Sequence, residues 1–479
     1  MRISLLFFLL GLCSSVFASG VSPFLPMNVS PILEKEVERL AVVAGIPNLN
    51  KPYSLATIYL YMDKIRNTHH ALYGRLSVAL EPYTAHAAIT HASVTVADSD
   101  SDIDIPNSRG ENTSYSAMAQ LRAHWQVADW YGIYLGAQVS DNFEQASGSH
   151  IALGTDWAQL NIGYRDFWWS PMQGSAQVLS TQAQSFPSIS LGNTLPIEIF
   201  GMRWSYEGFV ARTSRQFVQY NGTWSDKERP YLLGAHLSVQ PTEWFTLGAS
   251  RVMQFGGGER PVSLKTLFNA FFDPGEADNA QGENGVDEES GNQIASLQSK
   301  INFDGPLPFS VSIEFAGEDT SKSQNHLLGN SAFNAGLFFP YFFSDSLSLT
   351  YEYSDWQDAW YSNHIYQYGG YVNEGVVMGH WAMQVQRENS TAIEGNSHYL
   401  DLTWQLPWDH VMEVLVRTSH HYDASAEIVG IESDIYQDAT YYELRYTLPT
   451  KSHSVTAGAF WGQDNFGNDF AQFSIKGTW

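Results

Sequence analysis

The sequence is nearly without cysteine. Cys13 is the single one in 479 residues, and it lies in an apolar N-terminal stretch that reads as a removable leader. The mature chain then has no disulfide, no thiol nucleophile and no cysteine-ligated metal. Basic residues are also few: 25 Lys and Arg face 50 Asp and Glu, a formal net charge of −25. That balance excludes nucleic acid, which needs a basic face. It obliges an anionic partner to use bridging cations or local basic patches. Beyond the leader no run of about eighteen apolar residues occurs, so no helix spans a bilayer.

The leader itself has the form of a secretory signal over residues 1–18. Arg2 supplies the positive start, Ile3 to Leu12 is almost wholly apolar, and Val16-Phe17-Ala18 is spaced for cleavage after Ala18. Lipid modification of Cys13 is the alternative, disfavoured because Leu12 is not the small residue that such processing prefers. Aromatic residues are abundant, with 15 Trp and 25 Tyr. Export, many aromatics and no spanning helix together fit an outer-membrane β-barrel, whose strands hide their apolarity in alternation.

Two domains follow the leader, a helical bundle over 19–82 and a barrel over 83–479. Ser30 suits an N-cap and Pro31 a first helical position. Leu33, Val37, Leu40 and Ala44 then share a face, and Gly45 offers a left-handed stop. Ser54 begins a second helix with Ile58, Met62 and Ile65, and a third from about Asn67 carries Leu72, Leu76 and Leu80. The bundle is expected at the periplasmic end of the barrel.

From Tyr83 onward the period is two. Ala117, Ala119, Leu121, Ala123 and Trp125 alternate with Met118, Gln120, Arg122 and His124. The same rhythm recurs at 309–315, 347–353, 400–406 and 442–448. Each run is about ten residues, the length a tilted strand needs to cross hydrocarbon. Short turns near 127–131, 205–208, 240–243, 304–308, 407–410 and 449–452 alternate with long loops near 97–113, 168–186, 257–291, 319–331, 356–395 and 421–437. The pairing predicts a closed antiparallel barrel of about eighteen strands, turns in the periplasm and loops outside. Phe473, Ile475, Gly477 and the terminal Trp479 resemble the signal read by the barrel-assembly machinery. Closure is required, because an open edge in lipid leaves backbone groups unpaired.

Three segments carry a family resemblance. Gly248-Ala249-Ser250-Arg251-Val252-Met253-Gln254-Phe255-Gly256-Gly257 with Glu259-Arg260-Pro261 and Ser263 is one. His364-Ile365-Tyr366, Gly370-Tyr371, Gly375 and Met378-Gly379-His380 form the second, and Trp168-Trp169-Ser170-Pro171 the third. Their order and spacing, with the helical start and the length, resemble the Wzi capsule-assembly family over nearly the whole mature chain. The resemblance implies an eighteen-stranded barrel with a helical bundle at its periplasmic mouth. It also implies a non-enzymatic, lectin-like role: binding secreted capsular polysaccharide or exopolysaccharide and helping to assemble or anchor it at the cell surface, in capsule or biofilm. Ser170 in place of glycine, Met378 in place of leucine and Trp381-Ala382 depart from the family and bear on which glycan is held.

Candidate carbohydrate-binding residues follow. Trp356, Trp360, Tyr361, His364, Tyr366, Tyr371, His380 and Trp381 crowd one loop, with Trp168 and Trp169 in another. Aromatic faces pack on the C–H faces of sugars while polar neighbours bind hydroxyls. The same rings serve equally to fold the loop back into the barrel mouth. Arg251, Gln254 and Arg260 stand where a strand becomes a Gly-rich loop, and arginine grips a uronic carboxylate in two-point fashion. By parity from Phe245, Arg251 faces lipid, unless a bulge shifts the register.

Inward positions hold Arg122, His124, Arg165, His236, Lys300, Glu314, Glu352, Glu413, Arg417, Glu443 and Arg445. They line either a salt-bridged, closed interior, which a helical domain able to cover one end favours, or the water-filled channel of a porin, the alternative function. Asp98 to Asp104 and Asp287-Glu288-Glu289 lack calcium-loop spacing, and a solvated or lipopolysaccharide-bridging role is expected. Ser362, Asn363 and His364 lie together without the context of a hydrolase nucleophile. No cofactor or metal motif is present. The expected partners are the polysaccharide, outer-membrane lipid with its lipopolysaccharide, and the barrel-assembly machinery; the expected state is a monomer.

Overall fold

The first structured region is helical for the local reasons the sequence supplies. In α1, Pro31–Ala44, the Ser30 hydroxyl accepts from the Leu33 amide, and Gly45 ends the helix at φ 70°. In α2, Leu55–Ile65, Ser54 accepts from the Thr57 amide at 3.1 Å. The third helix, α3, begins three residues later than expected and runs His70–Ala79. Val37, Leu40, Ile58, Met62, Leu72 and Leu76 meet in their common core. The computed structural model describes residues 20–98, 115–141, 143–225, 227–258, 260, 291–320, 328–358, 360–367, 369–383, 393–422, 437–450 and 453–479. The signal segment and the acidic stretches 99–104 and 287–289 lie outside these.

One antiparallel sheet contains twenty strand segments. Two are short: Glu144–Gln145 is a flap on the strand Tyr131–Ser140, and Ile197–Ile199 folds back on Met202–Arg212. The other eighteen close on themselves, because the first, Ala87–Asp98, pairs with the last, Asp469–Thr478, from Ser93 opposite Thr478 to Asp98 opposite Phe473. Among the described residues each of the eighteen strands thereby has a partner on both sides, as lipid demands. Leu121, Leu135, Ile162, Leu237, Leu297, Ile313 and Ile475 lie on the exposed outer face. Gln120, Gln138, Asn161, Ser238, Gln298 and Glu314 alternate with them and are buried inside. The period-two reading therefore holds around the ring.

One expected turn is absent. Residues 205–208 lie inside the strand Met202–Arg212, where Glu207 faces His236 across the ladder. The chain reverses instead between Ile199 and Met202, where Phe200 and Gly201 both have positive φ. Glu207-Gly208 reads as a turn, but Glu207 is an inward carboxylate answering Arg165 at 2.8 Å. A short turn between Thr155 and Ala158 and a loop between the strands Met202–Arg212 and Tyr231–Thr242 add to the expected connections.

The helical bundle does not merely cap the short-turn mouth. The face of α1 opposite its apolar core carries Lys35, Glu36, Glu38 and Arg39, all buried. Lys35 Nζ reaches Asp401 Oδ2 at 3.1 Å, and the inward Gln405 donates to Glu36. A helix with one oily and one charged face thus meets its helical partners on one side and a polar lumen on the other.

Candidate functional site

The loop between the strands Ala158–Tyr164 and Pro187–Gly192 dives into the barrel. Its Trp168–Trp169 pairs with Asn50–Lys51 of the helical region, and Lys51 Nζ donates to the Met172 carbonyl at 3.0 Å. Inward groups of the wall receive the descending backbone. Glu314 accepts from Ser170 Oγ at 2.7 Å, and Gln298 donates to the Trp169 carbonyl at 2.9 Å. Asn334 donates to the Ser175 carbonyl at 2.6 Å, while Glu352 accepts from the Gln173 and Gly174 amides. Trp169 Nε1 donates to Glu207 at 2.8 Å. Glu207, Gln298, Glu314, Asn334 and Glu352 thus satisfy the plug, since a buried backbone without partners is costly.

A second layer lies over the first. The loop after the strand Leu347–Trp356 folds inward so that Trp360 Nε1 donates to Gln177 Oε1 at 3.1 Å and Tyr361 OH to the Val178 carbonyl at 3.0 Å. Ser180 Oγ donates to the Gly379 carbonyl at 2.6 Å, and Gln254 accepts from the Tyr371 amide. The Ala382 amide donates to His380 Nδ1 at 3.1 Å, so the proton sits on Nε2, facing Ser354 and Ser397. Burial, with Arg417 and His421 nearby, pushes the His380 pKa down to about 3, and the ring is neutral.

The sequence candidates separate accordingly. Trp168, Trp169, Trp356, Trp360, Tyr361, Tyr366, Tyr371, His380 and Trp381 are 0–2% exposed. They lie inside the barrel and present no ring face at its surface. Gln254 is equally buried, and Arg260 donates to the Gln219 carbonyl at 2.6 Å. The ladder through Arg251 is unbroken, opposite Ala235 and Ala295, with no bulge. Arg251 lies on the outer face and donates to Gln293. His364 alone of the set is exposed.

Beside His364 stands a group the sequence reading passed over. The 213–230 loop joins the plug through Val218 opposite Tyr366 and the Gln219 amide donating to Ile365 at 2.7 Å. Its hairpin, Gln219–Tyr220 with Thr223–Trp224, exposes Trp224, and Arg212, Arg215, Lys227 and Arg229 are exposed around it. Arg260 lies over the Tyr220 ring at 5.7 Å. In a chain with so few cations, Arg212-Thr-Ser-Arg215 and Lys227-Glu-Arg229 near a Tyr and a Trp were the available signal.

The capsule assembly protein Wzi family matches residues 69–467. An uncharacterised 55.8 kDa protein in the cps region of Klebsiella pneumoniae is 26% identical over 215 residues, which is 42% of this chain and 40% of that relative's length. In three dimensions the chain resembles Wzi of Escherichia coli, described as an outer membrane protein involved in group 1 capsule assembly and a carbohydrate binding β-barrel. The TM-score is 0.71 at 16% identity, over 96% of this chain and 99% of that one. With eighteen closed strands, inward-folded loops and a match across most of its length, the chain belongs to the capsule assembly protein Wzi family of outer-membrane β-barrels.

Proposed function

We propose that this barrel is a non-enzymatic lectin that holds an acidic secreted polysaccharide on the cell surface. The carrying observation is that Arg215, Trp224, Lys227 and Arg229, with Glu228 among them, are exposed on the loop that follows the strand Met202–Arg212, beside His364, on a chain whose net charge is −25. Cationic side chains meet the uronic carboxylates, Trp224 stacks on sugar C–H faces, and the buried plug rings hold that surface rigid. His364 touches the polymer; Trp360, Tyr361, Tyr366, Tyr371 and their neighbours position it. In this reading the short turns and helical bundle face the periplasm, and the chain acts as a monomer surrounded by lipopolysaccharide.

The test is retention of an acidic polysaccharide by purified protein in detergent at several salt concentrations. Arg215→Ala, Lys227→Ala and Arg229→Ala together are expected to weaken binding about tenfold or more and to flatten its salt dependence. Trp224→Ala weakens it without changing the salt response. Equal binding by all variants would remove this surface from the function.

A further inference from the structure

The lumen is filled unevenly. On the wall from Gly291–Phe303 to Leu347–Trp356, inward groups such as Gln298, Glu314, Asn334 and Glu352 are 0–3% exposed beneath the plug. On the wall around the closing seam, the inward Glu413, Glu443, Arg445, Thr456, Gln472 and Ser474 are only half-buried. A cavity of about 220 Å³ lies there between the start of α1 and the seam strands. It begins at the short-turn ends of the strands, at Thr447, Ser454 and Thr478, and rises to Phe460 and Arg417. There it ends: Arg417 lies over the rings of Trp381, Tyr441 and Phe460 at 5.3, 5.4 and 5.7 Å. Phe470 packs on Phe460 at 5.0 Å.

We infer that this vestibule is a second saccharide site, reached from the short-turn mouth and specific for uncharged sugar units. Its lining has five cationic and five carboxylate side chains, so it is formally neutral, and three of the cations pair within it: Lys35 with Asp401 at 3.1 Å, Lys51 with Glu38 at 2.7 Å, and Arg445 with Glu443 at 2.6 Å and Glu413 at 3.6 Å. Such a wall has little net field to attract an ion, yet is dense in donors and acceptors set side by side. Neighbouring sugar hydroxyls match it, donating to Glu443 and accepting from Arg445. Threonine and serine hydroxyls extend the pattern. Phe460 and Tyr399 add apolar surface that water alone does not use and a pyranose C–H face does. The volume suits one ring, or about seven waters at liquid density.

The site is independent of the outer hairpin, and salt separates the two. Titration calorimetry of the full chain in detergent, with galactose, lactose and maltotriose as probes, is expected to give binding that salt leaves unchanged. Thr456→Trp, which fills the cavity from an inward position, should weaken it about tenfold or more. Gln472→Trp is the second filling variant, and Trp224→Ala should have no effect. Retained binding of acidic polymer by the filled variants reports that they fold. No heat with any probe, or heat unchanged by both fillings, overturns the inference, whatever the outer surface binds.

Discussion

Replacing Lys35 by methionine tests whether α1 is anchored in the lumen. Lys35 Nζ donates to Asp401 at 3.1 Å, Gln173 at 2.6 Å and Thr350 at 3.1 Å. Methionine keeps the stem and removes all three contacts, one to the barrel wall, one to the plug and one to a strand hydroxyl. Asp401 is left with the Thr403 hydroxyl at 3.0 Å and the Tyr399 hydroxyl at 3.3 Å, inside a site where its side chain is 14% exposed. Breaking one partner of a buried pair costs about 3–5 kcal/mol. The adjoining cavity favours the lower end, about 3 kcal/mol, because water reaches the abandoned carboxylate. That is roughly a hundredfold rise in the opening of α1 from the lumen. Hydrogen–deuterium exchange of the full chain in lipid vesicles reads it directly in the amides of 31–44, while strand amides stay protected. Adding Asp401→Asn should recover part of the loss, since the orphaned charge is then gone. Unchanged exchange in α1, or no coupling between the two substitutions, would refute the anchoring argument.

Ser54→Ala removes the cap of α2 and the hydroxyl that donates to the Thr194 carbonyl. About 1–2 kcal/mol of local stability should be lost, measured as faster exchange in 55–65. His380 makes the fold sensitive to acid. Its folded pKa of about 3 lies below the usual value of 6.5, so the unfolded chain binds the extra proton first. The stability it contributes is complete above about pH 6.5 and falls toward pH 3 by at most about 1.4 kcal/mol per unit. Urea unfolding of His380→Gln should show a flatter pH dependence over that window than the parent, and an identical profile would exclude the ring as the cause.

The strands were legible because their signal is local and repeated: each outward Leu, Ile or Val is followed by an inward polar group. The caps at Ser30, Gly45 and Ser54 act within one turn of chain, so they too could be read directly. The plug could not. Residues 168–186 have the Trp, Ser and Gln content of an outer loop, and nothing nearby states that Glu314, Asn334 and Glu352 will receive them. Those partners stand well over a hundred residues later, and only the closed ring brings them together. The aromatic candidates were therefore found as a group, while their depth was not. The error at 205–208 has the same origin, since Glu207 looks like a surface charge until Arg165 and Trp169 meet it from above.

The stacked loops also make a continuous strut. From the outer hairpin, hydrogen bonds lead to Ile365, through Tyr361 to Val178, then by Trp168–Trp169 to Asn50–Lys51 and α1. If the outer surface holds a polymer as proposed, its load would travel down this column and spread into the wall through Glu314, Glu352 and Asp401. The encircling staves share the pull, and neither the lipid nor any single outer loop bears it alone.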